Sequence, residues 1–425
     1  MSRTVLRRVG VEDVAQLRRD PLQPRALSVA AEIVEKVRAG GFEAALAEGR
    51  RLGDLSEGAV PVHDVAACAA AWEGLERGQR ELLARTAERI RRFAEAQRDA
   101  VRGLSVQVPG GWAGHEVVPV ESAGCYAPGG RFPLPSSVLM TAVTARVAGV
   151  ERVWVASPKP SPVTLAACAV ARADGLLALG GAHAVALLAF GGGPVPRCDV
   201  VVGPGNSYVT AAKFLVSGHA GIDMLAGPSE LVVVADGTAD PDVIAMDLLA
   251  QAEHDPEALP VLVALDAGTA DAVDAALQAA LGSLETSATA GRAVENGFCV
   301  VAETLAQAAR VCNALAPEHL QLSLADADSL RPLLRHYGAL FLGAGACEVL
   351  GDYGMGPNHV LPTGGAARHV GGLSVMSFLR LRTWLRIEDV GDADEVLADA
   401  AELAGLEGLC AHRLAARIRR RDRGA

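Results

Sequence analysis

The stretch CDVVVGPGNSYVTAAKFLVSG, residues 198–218, decides the fold class of this chain. It contains three consecutive valines, passes through a glycine-rich turn and ends with apolar residues at helical spacing. A continuous apolar run is typical of a strand buried on both faces, in a parallel sheet that helices cover. We therefore predict a strand, a turn and a helix, which form one unit of an α/β fold.

The same pattern recurs on both sides of this stretch. Strands are predicted at 151–158, 230–236 and 259–266, and a helix follows each, at 161–175, 240–255 and 270–285. The chain has 425 residues, which is more than a single hydrophobic core usually serves. We therefore predict two βα-rich domains of related architecture.

The two ends of the chain have a different pattern. Residues 1–25 indicate a short arm, and from about residue 25 to 101 the apolar spacing is helical. We predict a helix over 27–41 that stops at its two final glycines, and a long amphipathic helix over 76–97. The stretch after Ser374 is also predicted to be helical. It is too short to fold alone and must pack on a neighbour, which in a homo-oligomer could be another subunit.

Charge and cysteine content exclude several classes of protein. The formal net charge of -11 argues against nucleic acid or an anionic membrane as a partner, since both require a basic face. No apolar run approaches the ~18 residues of a membrane span, and the charged N-terminus lacks the apolar core of a secretory signal. The eight cysteines occur singly, which indicates reduced thiols. We expect a cytoplasmic protein.

Glycine-rich turns are the first candidates for ligand binding. The usual dinucleotide fingerprint, GxGxxG at a strand-to-helix junction, is absent from the sequence. Three other glycine-rich turns lie at 126–137, 179–184 and 203–208, where backbone N–H groups could receive a phosphate. Tyr126 supplies a flat ring, and Asn206 supplies a donor and an acceptor. Each turn taken alone is better explained as a tight turn, but three such turns in one chain favour ligand binding.

Four separated residues are candidate metal ligands. Gln251 and His254 are three residues apart near the end of a predicted helix, so both point the same way. Asp352 lies in a glycine-rich loop, and His412 lies in the C-terminal segment. Two imidazoles, a carboxylate and an amide oxygen suit zinc. A structural role for each single histidine stays open, because spacing does not show that the four converge.

Glu318 and His319 are a candidate acid–base pair within the segment APEHL. Histidine titrates near neutral pH and can take a proton from an alcohol, and a neighbouring glutamate could activate water. Adjacent side chains diverge, so the two can serve different steps of one reaction. The competing interpretation is a polar helix start after Pro317.

Taken together, these motifs resemble those of one family. CYAPGGRFPLPSSVLM, GPGNSYVTAAKFLVSGHAGIDMLAGPSE, DLLAQAEHD, NALAPEHL, GDYGMGPNHVLPTGG and EGLCAH occur in the order and spacing of histidinol dehydrogenases. The resemblance is strong from about residue 116 to 412 and loose in the helical N-terminal part.

The resemblance implies an α/β fold with two incomplete Rossmann-like βα domains, helical N- and C-terminal segments, and an intertwined homodimer. The first domain would be discontinuous, comprising 26–119 and 232–373, after an arm at 1–25. The second domain, 120–231, would carry the turns that contact NAD. Residues 374–425 would form a helical segment that reaches the partner subunit.

The resemblance also implies roles for single residues. Gln251, His254, Asp352 and His412 look like zinc ligands that also hold the substrate, with His412 entering the partner subunit's site. Glu318 and His319 look like the catalytic acid–base pair, and His319 also resembles a substrate contact. The other positions resemble contacts of the substrate, at Ser136, Ser229, His359 and Glu407, and of NAD, at Tyr126, His183 and Asn206.

The activity that this family implies is a zinc-dependent, NAD-linked, four-electron oxidation. L-Histidinol, a small amino alcohol, would be converted through histidinal to L-histidine in the last steps of histidine biosynthesis. His319 would take the alcohol proton, and Glu318 would activate water for the second half-reaction.

Three departures from the family pattern leave the substrate open. His183 stands where the family usually has glutamine, the 377–387 stretch has Arg and Trp in place of a lysine pattern, and Gly41-Phe42 replaces Gly-Asp. One alternative is a paralogue that oxidises another small polar primary alcohol with the same site. Another is a catalytically silent binding protein or oligomeric scaffold, although the complete candidate set of metal and acid–base residues argues against it.

Overall fold

The structure, a computed structural model, describes residues 4–17, 21–129 and 133–421. Its strands are β1 Arg7–Arg8, β2 Val62–Asp64, β3 Leu104–Val108, β4 Gly111–Pro119, β5 Ser122–Tyr126, β6 Arg152–Ala156, β7 Gly175–Leu177, β8 Val200–Val202, β9 Gly221–Ile222, β10 Glu230–Ala235, β11 Leu259–Ala264, β12 Phe298–Val301, β13 His319–Ser323, β14 Ala339–Leu342 and β15 Leu379–Ile387. Its α-helices are α1 Pro24–Leu52, α2 Val65–Glu73, α3 Arg77–Asp99, α4 Pro135–Val138, α5 Thr144–Ala148, α6 Pro162–Val170, α7 Gly181–Phe190, α8 Ser207–Val216, α9 Pro241–His254, α10 Ala267–Leu281, α11 Ser287–Asn296, α12 Leu305–Leu315, α13 Ala327–Leu330, α14 Glu348–Asp352, α15 Asp394–Leu406 and α16 Cys410–Arg421. A π-helical turn, Leu139–Val143, lies between α4 and α5.

The chain divides into two compact units. The first runs to Ala96 and resumes from Val120 to Phe378, and the second comprises Gln97–Pro119 and the chain from Leu379 onwards. Among the described residues, no helix combines the length and the apolar character needed to cross a bilayer.

The first unit contains two six-stranded sheets with matching strand order. The β5 sheet has the order β2-β7-β6-β5-β8-β9, and the β10 sheet has the order β1-β12-β11-β10-β13-β14. All the pairings are parallel except that of β2 with β7. The related α/β architecture of the two series is therefore confirmed, and the apolar segments predicted at 151–158, 198–218, 230–236 and 259–266 each contain a strand.

Strand β10 shows why these apolar runs form central strands. Its residues are all buried, and alternate residues face opposite sides of the sheet. Leu231 and Val233 pack in a core with helices α9, α10 and α11, whereas Val232 and Val234 pack in a second core with α12. A strand covered on both faces needs apolar residues at every position, as its sequence has.

Both sheets reverse their strand order at a central pair of strands. In the β5 sheet the connections run from β5 to one side and then return to β8 on the other side, and β10 and β13 repeat this in the second sheet. In open α/β sheets, ligands bind in the crevice at such a reversal, outside the carboxyl ends of the strands. The turn after β8 therefore lies at a position that favours binding.

A buried ion pair holds this turn. Lys213 of α8 contacts Asp223, and both side chains are at most 2% exposed. The Lys213 ammonium also donates to the Gly203 carbonyl (2.9 Å), while the Asp223 carboxylate accepts the Gly203 N–H (2.7 Å). Gly203 has a φ of 121°, and a Cβ there would overlap the carbonyl oxygen of Tyr126. The pair and the glycine together fix the turn against the end of β5.

The second unit corrects one expectation. β15 pairs with β4 over Leu379–Ile387, and β4 pairs with β3, which gives a three-stranded antiparallel sheet. The stretch after Ser374 was expected to be helical, which is wrong for residues 379–387. This segment reads LRLRTWLRI, in which apolar residues alternate with Arg or Thr apart from Trp384, and alternation is typical of a strand with one exposed face. Helices α15 and α16 complete the predicted helical end.

The N-terminal part agrees with expectation in its helices. Gly41 breaks α1 with a φ of 59° and helix resumes at once, so the predicted stop is a break within a longer helical segment. The amphipathic helix at 76–97 is α3, as predicted. The proposed arm, 1–25, lies partly outside the described residues. The predicted domain limits stay a prediction; β2, from the 26–119 segment, pairs with β7 of the β5 sheet.

The ion pair yields a prediction on stability. Lys213→Met leaves the Asp223 carboxylate buried without its charge partner, which should lower the free energy of unfolding by about 3–5 kcal/mol in urea denaturation. A second change, Asp223→Asn, keeps an oxygen for the Gly203 N–H and removes the unpaired charge, so the double variant should recover part of the loss.

Lys36→Met is the matched control. Lys36 pairs with Glu48 at 3.1 Å, but its side chain is 56% exposed and Arg51 contacts the same carboxylate. Its loss should cost less than about 1 kcal/mol. A Lys213 variant no less stable than this control would show that the buried pair does not support the turn.

Candidate active site

A cavity of about 390 Å³ lies within the first unit and gathers most of the candidate residues. The carboxyl ends of β5 and β8 contribute Tyr126 and the turn at 204–207, as the strand reversal predicts. The β10 sheet contributes its opposite edge, because Ser229 precedes β10 and His319 is the first residue of β13. The candidate residues that line the cavity are Tyr126, Ser136, Asn206, Ser229, His254, Glu318, His319, Asp352 and His359.

Two of the predicted metal ligands meet at this cavity. His254 is the last residue of α9, and its Nε2 lies 3.6 Å from an Asp352 carboxylate oxygen, at the end of α14. Gln251 lies one helical turn before His254 and is fully buried. Among the described residues, neither its amide oxygen nor its amide nitrogen has a hydrogen-bond partner. Burial of an amide without a hydrogen-bond partner lowers the stability of the fold. Coordination of a metal ion by the amide oxygen would offset part of this loss.

Glu348 is a functional candidate that the sequence interpretation missed. One potential ligand atom each from His254, Glu348 and Asp352 lies within 4.8 Å of the others, and the Glu348 side chain is 4% exposed. One of its oxygens has no hydrogen-bond partner among the described residues. Glu348 precedes Asp352 by four residues on one helix, a spacing that places both on one face and could have identified it.

Burial controls the charge of this cluster. Desolvation raises the pKa of Asp352 to about 6 and raises the pKa of Glu348 well above its usual range, where the nearby Asp352 carboxylate adds repulsion. Burial also lowers the pKa of the His359 imidazole. Each of the two carboxyl groups therefore resists ionisation unless a positive charge lies nearby, and a bound cation would supply such a charge.

Glu318 and His319 are held by the backbone of one residue. A Glu318 carboxyl oxygen accepts the Glu230 N–H (2.9 Å), and the His319 Nδ1 lies 3.2 Å from the Glu230 carbonyl oxygen. The two side chains therefore approach each other, with 3.6 Å between Glu318 Oε2 and His319 Nδ1, where the sequence analysis expected divergence. They lie at the start of a strand, so the alternative of a helix start is wrong.

The surroundings of Glu318 and His319 strongly shift the pKa of both side chains. Burial lowers the pKa of His319 to about 3 and raises the pKa of Glu318 well above its usual range. His319 is therefore a neutral imidazole. With Nδ1 directed at a carbonyl, the proton is assigned to Nδ1, and Nε2 keeps its lone pair. An imidazole of this kind can accept a proton from a bound alcohol.

His359 and the serines form another part of the wall. The His359 Nδ1 lies 2.9 Å from the Asp352 carbonyl oxygen, and its Nε2 lies 3.4 Å from the Ser137 hydroxyl. Ser136, Ser137 and Ser229 all line the cavity.

Tyr126 and Asn206 line another part of the cavity. Desolvation raises the pKa of the Tyr126 phenol to about 12, so it stays protonated, and its oxygen accepts the Gly181 N–H at 3.1 Å. Asn206 caps α8, since its side-chain oxygen accepts the N–H groups of Tyr208 and Val209. Only its NH₂ group is therefore available to a ligand.

His183 is bound within the protein. Its side chain is 1% exposed, and its Nε2 lies 3.0 Å from the Asp54 carboxylate. The same Asp54 oxygen accepts the Gly180 N–H at 2.7 Å. The sequence analysis missed Asp54, which lies 129 residues away in the chain. A contact between His183 and NAD stays a prediction.

Glu407 and His412 belong to the second unit. Glu407 follows α15, His412 lies near the start of α16, and both residues are exposed. Their predicted roles stay predictions.

Comparisons with known proteins agree on one family. The family model described as histidinol dehydrogenase matches residues 18–420 of this chain. A histidinol dehydrogenase of Thermus thermophilus is 43% identical over 399 residues, which cover 93% of this chain and 95% of the relative. One of Pseudomonas syringae pv. syringae is 44% identical over 350 residues, covering 81% of this chain and 78% of the relative.

A solved structure agrees as well. The crystal structure of histidinol dehydrogenase from Elizabethkingia anophelis is similar with a TM-score of 0.92 and 26% sequence identity, and the match covers 99% of each chain.

The unpartnered amide of Gln251 can be tested directly. Gln251→Met removes two buried, unsatisfied polar atoms at similar volume, so chelator-treated protein should become more stable by about 1 kcal/mol in urea denaturation. The stabilisation that added zinc gives the wild type should be smaller in this variant.

Gln321→Met is the control. Gln321 is also a buried glutamine, but its Nε2 donates to Asp247 (2.6 Å) and Ser323 (3.2 Å). This variant should lose about 1–2 kcal/mol. A similar loss for Gln251→Met in chelator would mean that the Gln251 amide has a protein partner and no role toward a metal.

Proposed function

Because the chain belongs to the histidinol dehydrogenase family, we propose that it oxidises L-histidinol through histidinal to L-histidine, the last steps of histidine biosynthesis, with zinc and NAD. The single observation that carries this proposal is the cavity that brings Glu318 and His319 together with His254 and Asp352. The enzyme thus acts on a small molecule, here an amino alcohol.

Zinc fits the donor set of the cavity. The amide oxygen of Gln251, the His254 imidazole and the Asp352 carboxylate would hold it, and His412 of the partner subunit would be the fourth protein ligand. Nitrogen and oxygen ligands of these types are those that zinc accepts. When bound, zinc would hold the imidazole and amine of the substrate, and so act mainly by positioning.

NAD fits the part of the cavity that Tyr126 and Asn206 line. Tyr126 ends β5 and Asn206 follows β8, the two strands at the reversal of the β5 sheet, which is the usual place for a nucleotide in such sheets. His183 would be a third contact of NAD. NAD supplies the redox chemistry by accepting one hydride in each of the two half-reactions.

His319 is the proton acceptor in the first half-reaction. Its Nδ1 is engaged by the Glu230 carbonyl, so Nε2 takes the hydroxyl proton while the alcohol carbon loses a hydride and becomes a carbonyl. Burial keeps the imidazole neutral before this step. A neutral imidazole is the form that can accept the proton.

Glu318 serves the second half-reaction. Burial raises the pKa of Glu318, so its carboxylate, in the ionised form that this step requires, is a stronger base than an exposed one. In that form it takes a proton from water as the water adds to the aldehyde. The resulting hydrate loses the second hydride and becomes the acid. Over both steps one alcohol and one water yield a carboxylate, two hydrides and three protons.

Substrate contacts around the cavity retain the aldehyde between the steps. We assign Ser136, Ser229 and His359 to this role, together with Glu407 of the partner subunit. Enclosure of a reactive aldehyde prevents its loss to solvent.

The free cysteines, of which six are buried, support a cytoplasmic location for this activity.

A homodimer completes the proposal. The second unit exposes large apolar side chains, among them Leu381 (56%), Leu385 (68%) and Leu406 (81%). Such a concentration of exposed leucines in a small unit favours a protein interface. A second copy of the chain is the partner that the family implies, and it would supply Glu407 and His412.

The function is tested by turnover. Purified protein with zinc, NAD and L-histidinol should form two NADH per alcohol consumed, measured by absorbance and by the histidine produced. Turnover only with another polar primary alcohol would favour the paralogue with a different substrate. Zinc binding without oxidation of any alcohol would favour the silent scaffold.

The shared site is tested by mixing subunits. His319→Asn and His412→Ala proteins should each be nearly inactive. Equal co-expression should restore about a quarter of wild-type activity, since half of the dimers are mixed and each has one intact site.

A pair of variants from the same cavity, His319→Asn with Glu318→Gln, is the control and should restore nothing. If His412→Ala and His319→Asn also fail to complement in mixed dimers that are verified by mass, His412 does not act across subunits.

A further inference from the structure

We propose that Asn358 is a positioning residue for the substrate, because its side chain ties the loop that carries His359 to the π-helical turn Leu139–Val143. This inference rests on the proposed function. It concerns the part of the cavity wall that carries Ser136, Ser137 and His359, and it assigns a role to a residue outside the cavity lining.

The π-helical turn is an unusual element in a sensitive place. It interrupts the helical segment that begins with Ser136 and Ser137 at the cavity, and all five of its residues are buried. The Thr141 hydroxyl donates to the Ser137 carbonyl oxygen at 2.7 Å. π-helical turns are rare and occur frequently at functional sites. Here the turn directly follows the helix that carries the two serines.

Asn358 uses both ends of its amide. Its nitrogen donates to the Met140 carbonyl of the π turn (2.8 Å) and to the Thr144 hydroxyl (3.3 Å). Its oxygen accepts the N–H of Val360 (3.0 Å). The bond with Val360 closes a turn around His359. The bond with Met140 anchors that turn to a segment more than 200 residues away in sequence.

The anchor determines where the His359 ring lies. His359 is enclosed between Asn358 and Val360, with its Nδ1 directed at the Asp352 carbonyl and its Nε2 at Ser137. Ser137 and His359 thus approach across the cavity wall from two distant segments. Loss of the Asn358 donor would free the loop to shift relative to Ser136 and Ser137, and small shifts of positioning groups have large effects on a bound substrate.

Asn358→Asp removes the donor and adds a carboxylate. Aspartate has the same size and still accepts the Val360 N–H, but it has no hydrogen to donate and places an oxygen beside the Met140 carbonyl. The KM for L-histidinol should rise about tenfold, while kcat stays within about threefold and the KM for NAD within about twofold. Thr144→Val, which removes the second acceptor, should shift the same KM in the same direction by a smaller factor.

Asn313→Asp is the matched control. Asn313 also uses both ends of its amide, with Leu333 O at 2.8 Å and Arg335 N at 2.7 Å, but neither of these partners belongs to the cavity wall. Its variant should leave both KM values unchanged.

The possible outcomes separate the two proposals. An unchanged KM for L-histidinol in folded Asn358→Asp, or an equal rise in both KM values, would overturn the positioning role while wild-type turnover upholds the function. If Asn358→Asp does not fold, the result for Thr144→Val decides, and no change there overturns the inference. Absence of wild-type turnover would overturn the proposed function and this inference with it.

Discussion

The burial of polar groups around one cavity is the constraint on which the rest of the structure depends. Glu318, Glu348 and His319 are each almost fully buried, and desolvation drives all three toward their neutral forms. A folded chain tolerates such groups only where fixed partners or a bound ion offset their desolvation. The Glu230 backbone supplies one such partner for Glu318 and another for His319. The position of β10 relative to β13 is therefore part of the geometry of this cavity, since the strand pairing aligns these groups.

The two sheets of the first unit share a strand order but use opposite edges at the cavity. The β5 sheet follows the general rule for open α/β sheets and presents the carboxyl ends of β5 and β8. The β10 sheet presents the starts of β10 and β13, together with the end of α9, because a helix that crosses back between parallel strands ends where the next strand begins. Each half contributes one wall, and neither wall is a complete site.

The same geometry explains what the sequence could predict. Buried parallel strands such as β10 were evident from continuous apolar runs, and ordered motifs indicated the residues that line the cavity. The antiparallel strand β15 was missed because its alternating LRLR pattern lies beside a helical tail. Asp54 was missed for another reason. Its significance comes from a contact with His183, far away in the chain, and spacing along a sequence carries no information about such distances. Glu348, four residues before Asp352 on one helix, could have been identified from its spacing.

The contacts of the Gly203 turn fix its place in the cavity wall. The Gly203 turn must pass so close to the Tyr126 carbonyl that no side chain fits, and charged groups of Lys213 and Asp223 bind the turn from both sides. Two desolvated charges are an expensive way to hold a backbone, since apolar residues of similar size would often be as stable. Apolar residues, however, would offer no donor for the Gly203 carbonyl and no acceptor for its N–H. The ion pair is therefore best explained by the position that it imposes on Tyr126 and Asn206, and stability alone would not require it.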